Sequence, residues 1–288
     1  NGLDYIPAQI ICSNGAKQSV GFSLLAMVNP GDEVIIPAPY WVSYPAMTQL
    51  AQGIPVPVRT SFEHNYRLTP EQLEEAITDK TRMLILCSPS NPTGSCYSKQ
   101  DLEGLAEVLR RYPNISIISD EIYEYIVFDD DHISLLNIAP DLKDRVALIN
   151  GFSKGFAMTG WRLGYLAGPE ELVKAVGKIQ SQETSAPSSI SQAAGFAAYS
   201  GTLDEVLVMR ASFKERRDFM VEQLNSIEGV SCFSPGGAFY VFPNISSYLG
   251  SVTPSGTPIE SSTDLCLYLL DEVGLALVPG DAFGEPDG

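Results

Sequence analysis

The chain has no run of 18 or more uninterrupted apolar residues, although 44% of its 288 side chains are hydrophobic. A transmembrane helix needs about 20 such residues in a row, so no membrane partner is expected. Basic residues are scarce: 18 Lys and Arg stand against 35 Asp and Glu, for a formal charge of -17. A chain so acidic repels a phosphate backbone, which excludes nucleic acid as a partner. An anionic ligand must then be caught by a few local donors. The five cysteines, Cys12, Cys87, Cys96, Cys232 and Cys266, are odd in number, scattered and without CxxC spacing, which excludes a zinc site and a disulfide framework. A reducing compartment fits that usage. Only two histidines are present, His64 and His132, neither within a motif, and both are expected at the surface. The run Asp129-Asp130-Asp131 lacks metal-loop spacing and is expected to be a solvated tip.

What is present is a repeating pattern of helices and strands. After the turn Ser13-Asn14-Gly15, the residues Val20, Leu24, Leu25 and Val28 recur at helical spacing, so a helix over 16–28 starts at that turn. Strands are expected at Glu33 to Pro37 and Ile54 to Arg59. Thr69-Pro70-Glu71-Gln72 reads as a capping box with Pro at the first helical position, opening a helix over 70–77. The buried run Met83 to Cys87, a helix capped by Ser98 with Asp101 three residues on, and the run Ile115 to Ile118 repeat the pattern. Further strands are expected at Val146 to Ile149 and Leu163 to Ala167, with helices from about Pro169 and Ile190. Continuous apolar strands alternating with amphipathic helices define an α/β protein whose mainly parallel sheet is covered on both faces.

The helix-patterned stretch from Leu203 to Ile227 is long for one globular helix. Beyond it, Gly- and Pro-rich, hairpin-like text around Ser234 to Pro243 marks a change of character. The expected division is 1–212 and 213–288. The sequence opens at Asn1 without an initiator Met or a leader pattern, which fits a targeting segment cut off upstream, and it stops at Gly288, in a loop after an expected strand Leu275 to Val278; a truncated second domain is expected.

In an open parallel sheet, ligands collect outside the carboxyl ends of the strands. Asn91, Asp120 and Lys154 each follow such an end. The segments around them are Ser-Asn-Pro-Thr-Gly at 90–94, Ser-Asp-Glu-Ile-Tyr at 119–123 and GFSKGFAMTGWRLGY at 151–165, in that order. Together they resemble the class I/II aminotransferases of the aspartate aminotransferase superfamily. The flanking SNGAKQ at 13–18, PAPYWVSYP at 37–45 and PGDAFG at 279–284 are similar to the branch containing aspartate/prephenate aminotransferases of plants and bacteria. The resemblance covers almost the whole chain.

It implies fold type I, with a seven-stranded sheet and a smaller α+β domain, incomplete here, and it implies pyridoxal 5'-phosphate as cofactor. Lys154 matches the lysine that holds the cofactor as a Schiff base, and the chemistry agrees, since partial burial and the nearby Arg162 would free its amine of a proton. Asp120 matches the carboxylate that keeps the pyridine nitrogen protonated. Tyr123 and Asn91 match the pair that hydrogen-bonds the cofactor's phenolic oxygen. Gly15, Ala16 and Lys17 match the phosphate loop at a helix start, with Arg162 and Ser153 as its charged and hydroxyl contacts. Ser153 departs from the best-known relatives, which carry serine three residues before the lysine, where this chain has Gly151. Trp41 matches the aromatic that packs on the cofactor ring. Trp41, Asn91 and Lys17 are the expected substrate contacts, with two roles open for Lys17: its side chain reads the distal carboxylate of an acidic substrate, or its N–H supplements the phosphate site.

The activity implied is transamination between an acidic amino acid and a 2-oxo acid such as oxaloacetate, 2-oxoglutarate or prephenate. A lyase of the same fold shares nearly every motif, and the effector domain of a transcription regulator shares the fold. The family builds each active site from two subunits, so a homodimer is expected. The late arginine that forks the substrate α-carboxylate and the tyrosine lent by the partner lie outside this sequence. A plastid fits the plant relatives and the cytoplasm fits the bacterial ones.

Overall fold

The computed structural model describes residues 2–284; Gly288 and its loop therefore lie outside the described residues. In chain order the elements are β1 (Ile10–Ser13), α1 (Ala16–Met27), β2 (Glu33–Ala38), α2 (Ser43–Leu50), β3 (Ile54–Arg59), α3 (Pro70–Ala76), β4 (Thr81–Cys87), α4 (Lys99–Arg111), β5 (Ser116–Asp120), α5 (Leu135–Ile138), β6 (Val146–Gly151) and β7 (Gly164–Ala167). They continue with α6 (Glu170–Glu183), α7 (Ser189–Ser200), α8 (Asp204–Asn225), β8 (Ser251–Val252), β9 (Pro258–Ile259) and α9 (Ser262–Val273). Strands β1 to β7 form one sheet in the order β1-β7-β6-β5-β4-β2-β3. Strands β2 to β6 run parallel, and β7 is antiparallel to both of its neighbours.

Alternation along the strands splits the core into two layers. Leu84 and Leu86 of β4 face α4, where Leu102, Leu105 and Leu109 are buried, while Met83 and Ile85 face α1 through Val20 and Leu24. Each of these side chains has 2% or less of its surface exposed, and full burial of one such side chain contributes about 1.5–3 kcal/mol. The expected capping boxes are formed. Thr69 Oγ1 accepts from Gln72 N while Gln72 Oε1 accepts from Thr69 N, and Ser98 and Asp101 make the same exchange.

Two sequence expectations are corrected by the later part of the chain. Leu275 to Val278 forms no strand: its backbone finds no partner strand among the described residues, and Leu277 and Val278 are exposed. Ser234 to Pro243 does not form hairpin strands either. Its flanks meet in one antiparallel bridge, Ser231 with Asn244, and Gly237 instead bridges Val127. Pro235 and Pro243 lack the N–H groups that a ladder needs. The stretch that looked long for one helix is a single 22-residue helix, α8, and the expected division near 213 falls within it.

Candidate active site

Register brings the three motif loops together. Cys87 at the end of β4 pairs with Asp120 at the end of β5, and Asp120 pairs with Ile149 of β6. The loops carrying Asn91, Tyr123 and Lys154 therefore leave the same edge of the sheet side by side. Strand β7 folds back along β6, pairing Gly164 with Gly151, and β1 pairs Ser13 with Gly164, so the turn before α1 reaches the same place.

That turn is shaped for an anion. Gly15 caps α1 at φ +82, and a Cβ built on it would stand 2.5 Å from Arg162 Nη2. Only glycine leaves room for the guanidinium there. A Cβ on Gly164 would stand 2.4 Å from Ala16 N, so the start of β7 lies against the helix start as well. Arg162 is held with φ +50, its Nη1 donating to Thr159 O at 2.9 Å. A helix N-terminus beside a fixed arginine is a phosphate site by its chemistry.

Asp120 lies across the cleft, 3% exposed. Tyr44 Oη donates to its Oδ2 at 2.7 Å and Ile122 N to its Oδ1 at 3.3 Å. Burial outweighs these bonds and pushes the carboxyl up to about 6. Among the described residues no Lys or Arg forms an ion pair with it, so a cationic group of a ligand would complete it. Lys154 is lowered from the ordinary lysine value by burial and then by the charge of Arg162. Its Nζ lies 5.7 Å from the Tyr123 ring centroid and 5.2 Å from that of Phe239. Trp41 packs edge-on to Tyr44 at 5.3 Å, and Lys17 Nζ lies 4.8 Å from the Trp41 centroid.

One cleft is lined by Ala16, Lys17, Trp41, Asn91, Asp120, Tyr123, Ser153, Lys154 and Arg162, every expected site residue except Gly15, whose backbone forms the turn beneath Arg162. Four lining residues were not anticipated: Tyr44, Cys87, Ile122 and Thr159. Tyr44 could have been found, because it follows Trp41 by three residues and so shares its face of a helical turn. Its phenol is raised well above the usual value by burial and then by Asp120. Cys87, raised to about 12 mainly by burial, lies beneath as an inert thiol. Tyr123 is buried, and its phenol too is raised, by burial first and by Tyr240 next. Tyr240 carries no motif and gave no local signal; only the fold brings it here.

His64 is exposed as expected, whereas His132 is not. Its side chain is 8% exposed and its Nε2 is 2.9 Å from Glu121 Oε2. Glu121 Oε1 accepts from Ser119 and Ser134, so the histidine completes a buried polar cluster behind Asp120 that no local pattern announces. Of the acidic run, Asp129 is tied to α8 by Lys214 and Arg217, while Asp130 and Asp131 are exposed.

The donor set fits a ligand with a phosphate at Gly15 to Lys17, a basic ring nitrogen at Asp120 and a carbonyl at Lys154. Comparison with known proteins agrees. The family model for aminotransferase class I and II matches residues 1–288. The chain is 53% identical to a bifunctional aspartate aminotransferase and glutamate/aspartate-prephenate aminotransferase of Petunia hybrida, over 99% of this chain and 60% of that protein. It is 50% identical to an aspartate/prephenate aminotransferase of Cereibacter sphaeroides, over 99% of this chain and 71% of that one. The crystal structure of the Rhizobium meliloti aspartate aminotransferase superposes with a TM-score of 0.96 at 47% identity, covering 99% of this chain and 71% of that one. The chain thus spans about three fifths of the length of its plant relative and belongs, on sequence and on fold type I architecture alike, to the class I and II aminotransferases.

Proposed function

We propose that this chain carries the cofactor site of a pyridoxal 5'-phosphate aminotransferase, which moves an amino group between aspartate or glutamate and a 2-oxo acid (oxaloacetate, 2-oxoglutarate or prephenate) in a ping-pong cycle. The observation that carries this reading is the single cleft in which Lys154, Asp120 and the Gly15–Arg162 anion turn converge. When bound, the cofactor supplies an electron sink for charge that develops at the substrate's α-carbon.

The residues divide the remaining work. Lys154 would hold the cofactor through its carbonyl, and the same Nζ, when free, would take and return the substrate's α-proton. Its lowered affinity for a proton suits both tasks. Asp120 would keep a proton on the ring nitrogen. In pyridoxal the ring hydroxyl neighbours the carbonyl carbon, so its donors would be Tyr123 and Asn91, which line the same cleft as Lys154. Trp41 would pack on the ring, and the N–H groups of Gly15, Ala16 and Lys17, with Ser153 and Arg162, would hold the phosphate. The Lys17 ammonium, over Trp41, reads the distal carboxylate of an acidic substrate.

The decisive measurement is the visible spectrum of the full-length protein mixed with aspartate, glutamate or arogenate alone. A transaminase converts its bound cofactor to the amine form without any oxo acid. Persistence of the original band with all three would overturn the reading. The names of the relatives favour transamination over the lyase and regulator alternatives.

We further propose a homodimer, supported by the exposed apolar residues Ile190 and Phe196 of α7 and Leu207 and Val208 of α8; a monomer by sedimentation at micromolar concentration would contradict it. Residues from about 213 onward are proposed to begin the smaller domain. Plant and bacterial relatives both match, and the bacterial ones argue against reading a plastid address from this sequence. Among the described residues no helix is long and apolar enough to cross a membrane.

A further inference from the structure

Tyr240 stands behind the cleft, yet its hydroxyl joins two residues that line it. Asn91 Nδ2 donates to Tyr240 Oη at 3.3 Å, and Tyr240 Oη is 2.7 Å from Tyr123 Oη. A phenol has one proton to give. The Tyr240–Tyr123 contact allows either hydroxyl to donate; where Tyr240 donates, the Tyr123 proton is left to point into the cleft. A hydroxyl that accepts a hydrogen bond becomes the stronger donor in its turn.

The segment carrying Tyr240 is held to both motif loops. Gly237 N donates to Gly94 O at 3.0 Å, where the loop bearing Asn91 closes. Ala238 N donates to Ile126 O at 2.8 Å and Gly236 O accepts from Phe128 N at 2.9 Å, both just beyond Tyr123. A Cβ on Gly237 would stand 2.7 Å from Ile126 O and from Pro89 Cγ, so this approach requires glycine. Phe239 then meets the Tyr123 ring edge-on at 5.5 Å and is stacked by Phe213 of α8 at 5.3 Å. The same short segment is thus fixed to the two loops whose side chains its tyrosine links.

We propose that Tyr240 is a positioning residue for the cofactor: by hydrogen-bonding Tyr123 within the Asn91–Tyr240–Tyr123 chain, it orients and strengthens Tyr123 as donor to the ring hydroxyl oxygen. This rests on the pyridoxal-phosphate reading of the cleft. It also gives the later part of the chain a direct line to the cofactor.

The test uses full-length protein stripped of cofactor, with pyridoxal 5'-phosphate and its 3-deoxy analogue as ligands. Tyr240→Phe should weaken the first by about three- to tenfold, the range of one lost neutral hydrogen bond, and the analogue, which lacks the oxygen, by less than about twofold. In a Tyr123→Phe background, Tyr240→Phe should add no further loss, because the two hydroxyls act as one chain. The visible band of the lysine-bound cofactor should change form at higher pH in Tyr240→Phe, since a weaker donor stabilises the phenolate less. Equal losses for both ligands, or full additivity with Tyr123→Phe, would reduce Tyr240 to a prop for its loop and overturn the proposal. Wild-type protein that binds neither ligand would instead overturn the cofactor reading itself.

Discussion

The sheet and the stretch that follows α8 are built on different terms. In β1 to β7 every strand is paired, and the inner strands are covered on both faces, so that Leu84, Ile85 and Ile117 are essentially without exposed surface. From Ser226 to Gly284 the only strands are two-residue β8 and β9, and Leu267, Val273, Leu277 and Val278 are largely exposed. The first region makes the site by strand register, which places Cys87, Asp120 and Ile149 abreast and so aligns the loops after them. The second contributes by docking one glycine-rich segment onto those loops. Regular structure sets where the chemistry is, and an irregular segment adjusts its hydrogen bonding.

The largest expected effect lies at the end of β6. Lys154→Ala should lower kcat by about 10⁴-fold or more, because covalent attachment and proton transfer are lost together. Borohydride treatment of wild-type protein should leave the reduced cofactor on the Lys154 peptide, and a mass shift on any other lysine would break the assignment. Next comes the pair of leucines that separates the two regions. Leu84→Ala should cost about 2–5 kcal/mol by urea unfolding, through the transfer and cavity terms of a filled core. Leu277→Ala should fall within about 0.5 kcal/mol. Similar losses at both positions would mean that the later region is as tightly packed as the sheet.

Asp120 should show itself twice. Asp120→Ala should lower kcat by about 10²–10³-fold while leaving most cofactor binding intact, since the ring charge matters most in the transition state. In cofactor-free protein the folded-state value of about 6 lies above the ordinary 3.8, so the folded chain keeps a proton that the unfolded chain releases. Unfolding free energy should therefore fall as pH rises from about 4 to about 6, by roughly 3 kcal/mol in all, and level off above. Asp120→Asn should remove that slope, and a slope unchanged by the substitution would place its origin elsewhere. The smallest effect is on selectivity. Lys17→Ser should cut kcat/KM for aspartate and prephenate about tenfold or more, with a neutral aromatic amino acid little changed or improved. Equal losses for both substrate classes would leave Lys17 with only its backbone role at the phosphate.

Much of this is legible in the sequence. The capping boxes at Thr69 and Ser98, strand Ile54–Arg59 and the strand-end positions of Asn91, Asp120 and Lys154 follow from local patterns that each element carries within itself. The misses have a common cause. His132 looked like a surface residue because its partners Glu121, Ser119 and Ser134 are assembled by the fold rather than by spacing. Leu275 to Val278 has a strand's composition, but a strand exists only where a neighbour offers hydrogen bonds.

The sequence by itself determined the alternation of strands and helices, the caps, the acidic surface and the three motif segments, because propensity, patterning and charge are properties of neighbours along the chain. The tertiary structure alone decided that Tyr44 meets Asp120, that Arg162 fills the space left by Gly15 and that Tyr240 joins Asn91 to Tyr123. Those contacts span 76, 147, 149 and 117 residues respectively. At such separations only strand register and core packing fix which side chains meet, and neither is written in any local run of residues.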